Sequence, residues 1–140
     1  MNKYVVEKKL GSGSYGSVFV VHATSNPDKK YVMKKIPLKG QSQKEKNSAK
    51  QEVKLLQTLQ HPFIVRYIDS FIDEESNLCI VMSYCKGGDL ANFVQKNYTV
   101  QRIPEKTILK LFAQTTLALL FMHSQKVLHR DLKVSILLPS

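Results

Sequence analysis

Three groups of residues in the 140-residue sequence have types and spacings suited to phosphate chemistry. The first is Gly11, Gly13 and Gly16 followed by Val18, between two runs of strand-like residues. Glycine lets a loop bend tightly and lets backbone N–H groups approach phosphate oxygens, which a Cβ atom would obstruct. The spacing alone is weak evidence, because glycine-rich hairpins are also ordinary turns. A dinucleotide-binding loop needs a helix directly after it, whereas a strand is predicted here, so we expect the loop to fold over a nucleotide.

The second group is Lys34 and Glu52, which we predict to form an internal ion pair. In a strand over residues 31–36, side chains point alternately to the two faces of the sheet. Lys34 therefore shares a face with the two aliphatic residues that lie two positions before and after it. A charge on that face needs a compensating anion. Glu52 shares a helix face with three leucines, so its carboxylate is also expected to point inward. The alternative is that Lys34 is a surface lysine equivalent to Lys35.

The third group is the run His129-Arg130-Asp131-Leu132-Lys133. A carboxylate such as Asp131 can accept a proton from an attacking hydroxyl, and Lys133 can neutralise a transferring phosphoryl group. In an arbitrary surface loop this pentapeptide would mean nothing. Its position after a glycine loop, a lysine and a glutamate, in that order, makes coincidence a poor explanation.

Composition restricts the classes of function. The 21 lysines and arginines against 11 acidic residues give a net charge of +10, which could attract nucleic acid or phosphorylated ligands. Most basic residues are lysines without neighbouring aromatic residues, so a solvated surface is favoured and nucleic-acid binding is not expected. Cys79 and Cys85 cannot form a disulfide framework or a zinc site. Without a signal peptide or a membrane-spanning stretch, we predict a soluble, cytoplasmic protein with no membrane partner.

Periodicity and turn residues predict an α+β chain. Five strands are expected at Tyr4–Leu10, Val18–Ala23, Tyr31–Ile36, Val65–Ile72 and Leu78–Tyr84. Three helices are expected at Ala49–Gln60, Leu90–Lys96 and 104–124, with residues 39–48 as a mobile polar connection. The last helix is apolar on nearly every side, which is typical of a helix deep in a core. We therefore expect this helix to have too little of the 140-residue chain to pack against. We also expect the chain to be able to self-associate through residues 105–124.

In this order along the whole chain, the motifs resemble the eukaryotic protein kinase family. Lys133 after His129-Arg130-Asp131 is similar to the serine/threonine form. The segments 61–65, 84–90 and 127–129 most resemble the NIMA-related kinases. The resemblance implies an N-lobe over residues 1–84, with a five-stranded antiparallel sheet and helix C. It also implies a hinge and the beginning of the helical C-lobe over residues 85–140.

The resemblance also implies ATP as the nucleotide and assigns a set of site residues. Catalytic roles fall to Lys34, Glu52, Asp131 and Lys133. Nucleotide contacts fall to Leu10, Gly11, Gly13, Gly16, Val18, Val32, Lys34, Met82, Ser83, Cys85 and Asp89. Among these, Met82 would be the gatekeeper, Ser83 and Cys85 would offer backbone groups to adenine, and Asp89 would reach the ribose.

One departure from the family pattern concerns magnesium. After Lys133 the family has two residues and then a metal-binding asparagine, but this chain has Val134, Ser135 and Ile136. Either Ile136 replaces the asparagine or one residue is deleted before it, and isoleucine cannot ligate magnesium. The sequence ends before an Asp-Phe-Gly motif. The sequence therefore predicts a truncated kinase domain with no metal residues of its own and no activity as it stands.

Two alternative functions remain beside an ATP-dependent kinase acting on protein hydroxyls. One is a non-catalytic nucleotide-binding or regulatory fragment, favoured by the lost magnesium ligands. The other is a lysine-rich nucleic-acid binder, favoured only by the net charge of +10. The protein substrate is not specified by the sequence.

Overall fold

The computed structural model describes residues 3–13, 16–98, 103–130 and 132. Its elements in chain order are β1 (Tyr4–Gly13), β2 (Gly16–Ala23), β3 (Asn26–Pro37), α1 (Gln43–Thr58), β4 (Tyr67–Ile72), β5 (Asn77–Ser83), α2 (Leu90–Tyr98) and α3 (Glu105–Ser124). The five predicted strands and the α+β class are confirmed. Both β1 and β3 are longer than predicted.

The strands form one antiparallel sheet in the order β1-β2-β3-β5-β4. In its register Val18 pairs with Lys34, Lys34 pairs with Ile80, and Val32 pairs with Met82. Residues directly opposite each other on neighbouring strands lie on the same face of a sheet. These five residues therefore lie on one face, which we call the α1 face because α1 packs on it.

The α1 face contains the first hydrophobic core. Its buried members are Ile36, Leu38, Ala49, Val53, Leu78 and Ile80. Ala49 and Val53, four residues apart on α1, present one helix face to the sheet. Ile80 at the centre of the sheet is only 1% exposed. This packing holds α1 against the sheet.

Helix α1 begins six residues before the predicted start at Ala49, so the prediction of a mobile connection over 39–48 is wrong from Gln43 onward. The reason is a capping box. The backbone N–H of Glu45 donates to Ser42 Oγ at 3.3 Å, and the backbone N–H of Ser42 donates to Glu45 Oε2 at 2.7 Å. These bonds satisfy N–H groups at the helix start and allow a polar segment to be helical.

The opposite face of the sheet, which we call the outer face, holds a second core. Its buried members are Tyr4, Val21, Met33, Cys79 and Val81. Tyr4 stacks on Phe71 with a ring-centroid distance of 5.9 Å and meets Tyr31 edge-on at 6.0 Å. The aromatic rings of the outer face thus cover its aliphatic residues and help to bury them.

The chain divides into two compact units, residues 1–60 with 66–84, and residues 61–65 with 85–140. In the second unit, Asp89 caps α2 by accepting a hydrogen bond from the Asn92 backbone N–H at 2.7 Å. His61 stacks on Phe121 of α3 at 5.1 Å. No helix in the described part of the chain is long and apolar enough to cross a membrane.

Helix α3 has the length predicted from the sequence. It buries Met122 but leaves several large apolar side chains exposed. Those at least half exposed are Ile108, Leu109, Phe112 and Leu120, with Phe112 at 71%. Some of the apolar residues that the sequence places on nearly every side of α3 are therefore exposed at the surface of this helix.

Candidate functional site

Lys34 and Glu52 meet on the α1 face. Lys34 Nζ lies 3.4 Å from Glu52 Oε1, and the two side chains are 28% and 48% exposed. The alternation of β3 directs Lys34 toward α1, so the predicted pairing of Lys34 with Glu52 is confirmed. The expectation that the pair is internal is wrong, because about half of the Glu52 side chain is exposed. A partly exposed pair contributes little to stability. The pair therefore matters for where it places the Lys34 ammonium group, which lies where the sheet meets α1.

Lys35 has a different environment from Lys34. It lies on the outer face, where its Nζ donates to Asp73 Oδ2 at 2.9 Å. This hydrogen bond raises the pKa of Lys35. Partial burial acts to raise the pKa of Asp73, but the bonds from Lys35 and Asn77 outweigh it and hold that pKa well below its usual range. Sequence reasoning missed this pair, because 38 residues separate its members.

The three glycines of the loop differ in what the fold requires of them. Gly16 has a φ of +117°, and a Cβ atom there would lie 2.0 Å from the carbonyl oxygen of Lys35. Gly16 is thus required for the close approach of β2 to β3. A Cβ atom at Gly11 or Gly13 would meet nothing within 4 Å. The fold does not explain these two glycines, whereas a ligand lying against the backbone would.

Aliphatic side chains lie beside the lysine on the same face. Val18, Val32 and Met82 are half-buried there, and Leu10, in β1 just before Gly11, is 51% exposed. Val18 and Val32 come from β2 and β3, and Met82 from β5. The first unit therefore combines an apolar surface with one ammonium group, a combination suited to a ligand with an aromatic part and a charged part.

The remaining predicted contacts lie at the end of β5 and in the second unit. The Ser83 backbone N–H already donates to the Arg66 carbonyl at 2.9 Å, so that N–H is engaged within the sheet. The Cys85 carbonyl accepts from the Gly88 N–H at 3.2 Å. Asp89 uses both carboxylate oxygens on Asn92. Sequence reasoning did not foresee that these groups have partners within the chain.

The third motif is only partly described. Arg130 has a φ of +60°, a backbone conformation that non-glycine residues rarely adopt and that is often retained at functional sites. The predicted catalytic residues Asp131 and Lys133 lie outside the described residues. Among the residues that are described, no cluster of His, Cys, Asp or Glu side chains could hold a metal ion.

A family model described as the protein kinase domain matches residues 4–140, nearly the whole chain. The chain belongs to the protein kinase family. It is similar to the serine/threonine-protein kinase Nek6 of Oryza sativa subsp. japonica, with 44% identity over 96% of this chain and 25% of that protein. It is also similar to Nek7 of Arabidopsis thaliana, with 43% identity over 96% of this chain and 23% of that protein.

The similarity extends to animal kinases of the same group. Nek1 of Mus musculus is 42% identical over 95% of this chain and 11% of that protein. The kinase domain thus has NIMA-related serine/threonine kinases as relatives, as the motifs at 61–65, 84–90 and 127–129 indicated. The chain spans a quarter or less of the length of these three relatives.

The residues of this kinase domain fit one of the two family cofactors. The open backbone at Gly11 and Gly13, the Lys34 ammonium and the apolar surface at Val18 and Val32 suit ATP. Magnesium fits poorly, because an aliphatic side chain stands where the family has an asparagine ligand. No chemical step of this chain is therefore assigned to the metal.

Proposed function

We propose that this domain binds ATP on the α1 face of its sheet. The observation that carries the proposal is the Lys34–Glu52 pair, with 3.4 Å between the ammonium nitrogen and the carboxylate oxygen. Glu52 holds the lysine side chain in place, and Lys34 contacts the α- and β-phosphates. A positioned cation stabilises phosphate charge without reorganising during the reaction. The partial exposure of both side chains leaves the ammonium group accessible to a ligand.

The neighbouring residues have matching roles in this proposal. Val18, Val32 and Met82 pack against adenine, while Gly11 and Gly13 let the backbone approach the phosphates. Since the Ser83 N–H is engaged with Arg66, adenine must use other backbone groups of the hinge. The resemblance assigns Asp89 to the ribose, and in the second unit this carboxylate accepts hydrogen bonds from the backbone N–H and the side-chain amide of Asn92.

We further propose that the protein carrying this domain phosphorylates serine or threonine hydroxyls of other proteins. Asp131 accepts the proton of the attacking hydroxyl, and Lys133 neutralises charge on the transferring group. Catalysis of this kind depends mainly on positioning and charge. Support comes from the order of the motifs and from serine/threonine kinases as relatives.

The 140-residue chain alone is expected to transfer no phosphoryl group above background. The reason is the aliphatic residue at the position of the magnesium-binding asparagine, because a side chain without an oxygen atom could not hold a metal that would neutralise phosphate charge. The measurement is incorporation of labelled γ-phosphate into a generic protein substrate, with and without magnesium. Lys34→Met and Asp131→Asn serve as controls, and magnesium-dependent incorporation abolished by both would contradict the prediction.

We also propose that the chain self-associates through α3. Phe112, Leu109 and Leu120 leave apolar surface that monomers rarely tolerate. Phe112→Ser is expected to lower both the sedimentation coefficient at high concentration and the binding of a hydrophobic dye, whereas Phe112→Leu should change neither. A wild-type chain that sediments as a monomer at all concentrations would refute the proposal.

We propose a cytoplasmic location for the protein. The cysteines Cys79 and Cys85 are free thiols, which suits a reducing compartment.

A further inference from the structure

A cavity of about 200 Å³ opens on the outer face of the sheet, opposite the α1 face. We call it the outer cavity. It lies between the start of β1, the β4–β5 turn and the middle of β3 and β5, all within the first unit. None of its lining residues belongs to the proposed ATP site. Ligand sites for whole small molecules are typically about 300–1,000 Å³, so this cavity suits a single side chain better.

The floor and one wall of the outer cavity are apolar. Cys79 is 0% exposed and Met33 is 3% exposed at the floor. Phe71 and Tyr4 form an aromatic wall, with their rings parallel within 5°. Burial raises the pKa of the Cys79 thiol to about 12, helped by the nearby Asp73 carboxylate. The thiol is therefore a neutral part of the floor and not a nucleophile.

The rim of the outer cavity carries charges, and its two lysines are already neutralised. Lys35 Nζ binds Asp73 at 2.9 Å, and Lys3 Nζ binds Asp69 at 2.6 Å. Asp73 also accepts backbone N–H bonds from the turn that follows it. Neither lysine is thus a free cation for an anionic ligand.

Two carboxylates at the rim remain in excess. The Glu74 side chain forms no hydrogen bond or ion pair with any other residue that the structure describes, and the Glu75 carboxylate accepts one hydrogen bond there, from the Asn77 side-chain amide at 3.1 Å. Both rim lysines are paired with aspartates, so Glu74 and Glu75 are acidic groups in excess, and the rim is negative on a chain whose net charge is +10. A cationic group is therefore the complementary occupant.

We propose that the outer cavity receives one arginine side chain from an extended segment of a partner protein. A guanidinium group stacks on aromatic rings such as Phe71 and binds carboxylates in a bidentate manner. Its aliphatic stem suits the apolar floor formed by Met33 and Cys79. Lysine has the same charge but lacks the planar group, so arginine is preferred over lysine.

The test uses the 140-residue chain labelled with ¹⁵N and a blocked hexapeptide with one central arginine beside a leucine. We expect saturable shifts of the backbone amide signals of Val6, Lys35 and Cys79. The same peptide with citrulline, which has the shape of arginine without its charge, should bind about fivefold more weakly, the scale of one exposed ion pair. A lysine peptide should also bind more weakly than the arginine peptide.

The matched variant is the double substitution Glu74→Gln and Glu75→Gln, whose fold is checked by its amide spectrum. It should weaken arginine-peptide binding about fivefold, since it removes the uncompensated rim charge. Lys54→Gln on α1, an exposed charge outside the cavity, should not weaken binding. Equal binding of the arginine and citrulline peptides, shifts confined to other residues, or unchanged affinity of the double variant would each overturn the proposal. If the lysine peptide bound as tightly as the arginine peptide, the proposal that the occupant is an arginine would be wrong.

Discussion

Replacing Gly16 with alanine is expected to destabilise the domain by about 3–5 kcal/mol, a large part of a typical domain stability. The added Cβ atom would lie 2.0 Å from the Lys35 carbonyl oxygen, so β2 and β3 would have to separate. The φ of +117° adds backbone strain for any residue with a Cβ atom. Urea denaturation followed by circular dichroism would measure the loss.

Gly11→Ala is the matched control, because it adds the same methyl group at another glycine of the same motif, in the neighbouring strand β1. Nothing lies within 4 Å of a Cβ atom at Gly11. Its free energy of unfolding should change by less than about 1 kcal/mol, as for surface substitutions in general. If both variants lowered the free energy of unfolding by similar amounts, the close approach of Gly16 to Lys35 would not be the reason that glycine is needed at this position.

The positions of the strands could be predicted from the sequence because alternation is a local signal. The facing direction of Lys34 followed from its aliphatic neighbours in β3, and the structure confirms it through the contact with Glu52. The start of α1 was missed although its signal was present. Ser42 and Glu45 have the spacing of a capping box, but the polar composition around them favoured a loop.

Other features depend on contacts that no local pattern contains. The strand predicted at Tyr31–Ile36 is longer in the structure, since β3 already begins at Asn26. Pairing with β2 extends β3 over residues that by themselves favour a turn. The contact of Gly16 with Lys35 and the Lys35–Asp73 pair both require the register between distant strands. The outer cavity arises from the same long-range pairings and left no sequence signal.

Lys34→Met is expected to weaken ATP binding about tenfold or more, since a hydrogen bond to a charged group contributes about 1.5–3 kcal/mol. The methionine keeps the length of the side chain and removes the ammonium group beside Glu52. Stability should hardly change, because the Lys34–Glu52 pair is partly exposed.

Lys35→Met is the matched control, because it makes the same change one residue along β3. Lys35 lies on the outer face and holds Asp73 at 2.9 Å. Its loss should leave ATP affinity within about twofold, and it should lower the free energy of unfolding by about 1–3 kcal/mol, because Asp73 would be left without its cationic partner. The two neighbouring lysines thus have separable effects, one on binding and one on stability.

Isothermal titration of ATP into the wild-type chain, Lys34→Met and Lys35→Met tests the assignment of the α1 face as the nucleotide site most directly. We predict that the wild-type chain and Lys35→Met bind ATP with nearly the same affinity, while Lys34→Met binds it at least about tenfold more weakly. Equal binding by Lys34→Met and the wild-type chain, or a larger loss in Lys35→Met than in Lys34→Met, would contradict that assignment.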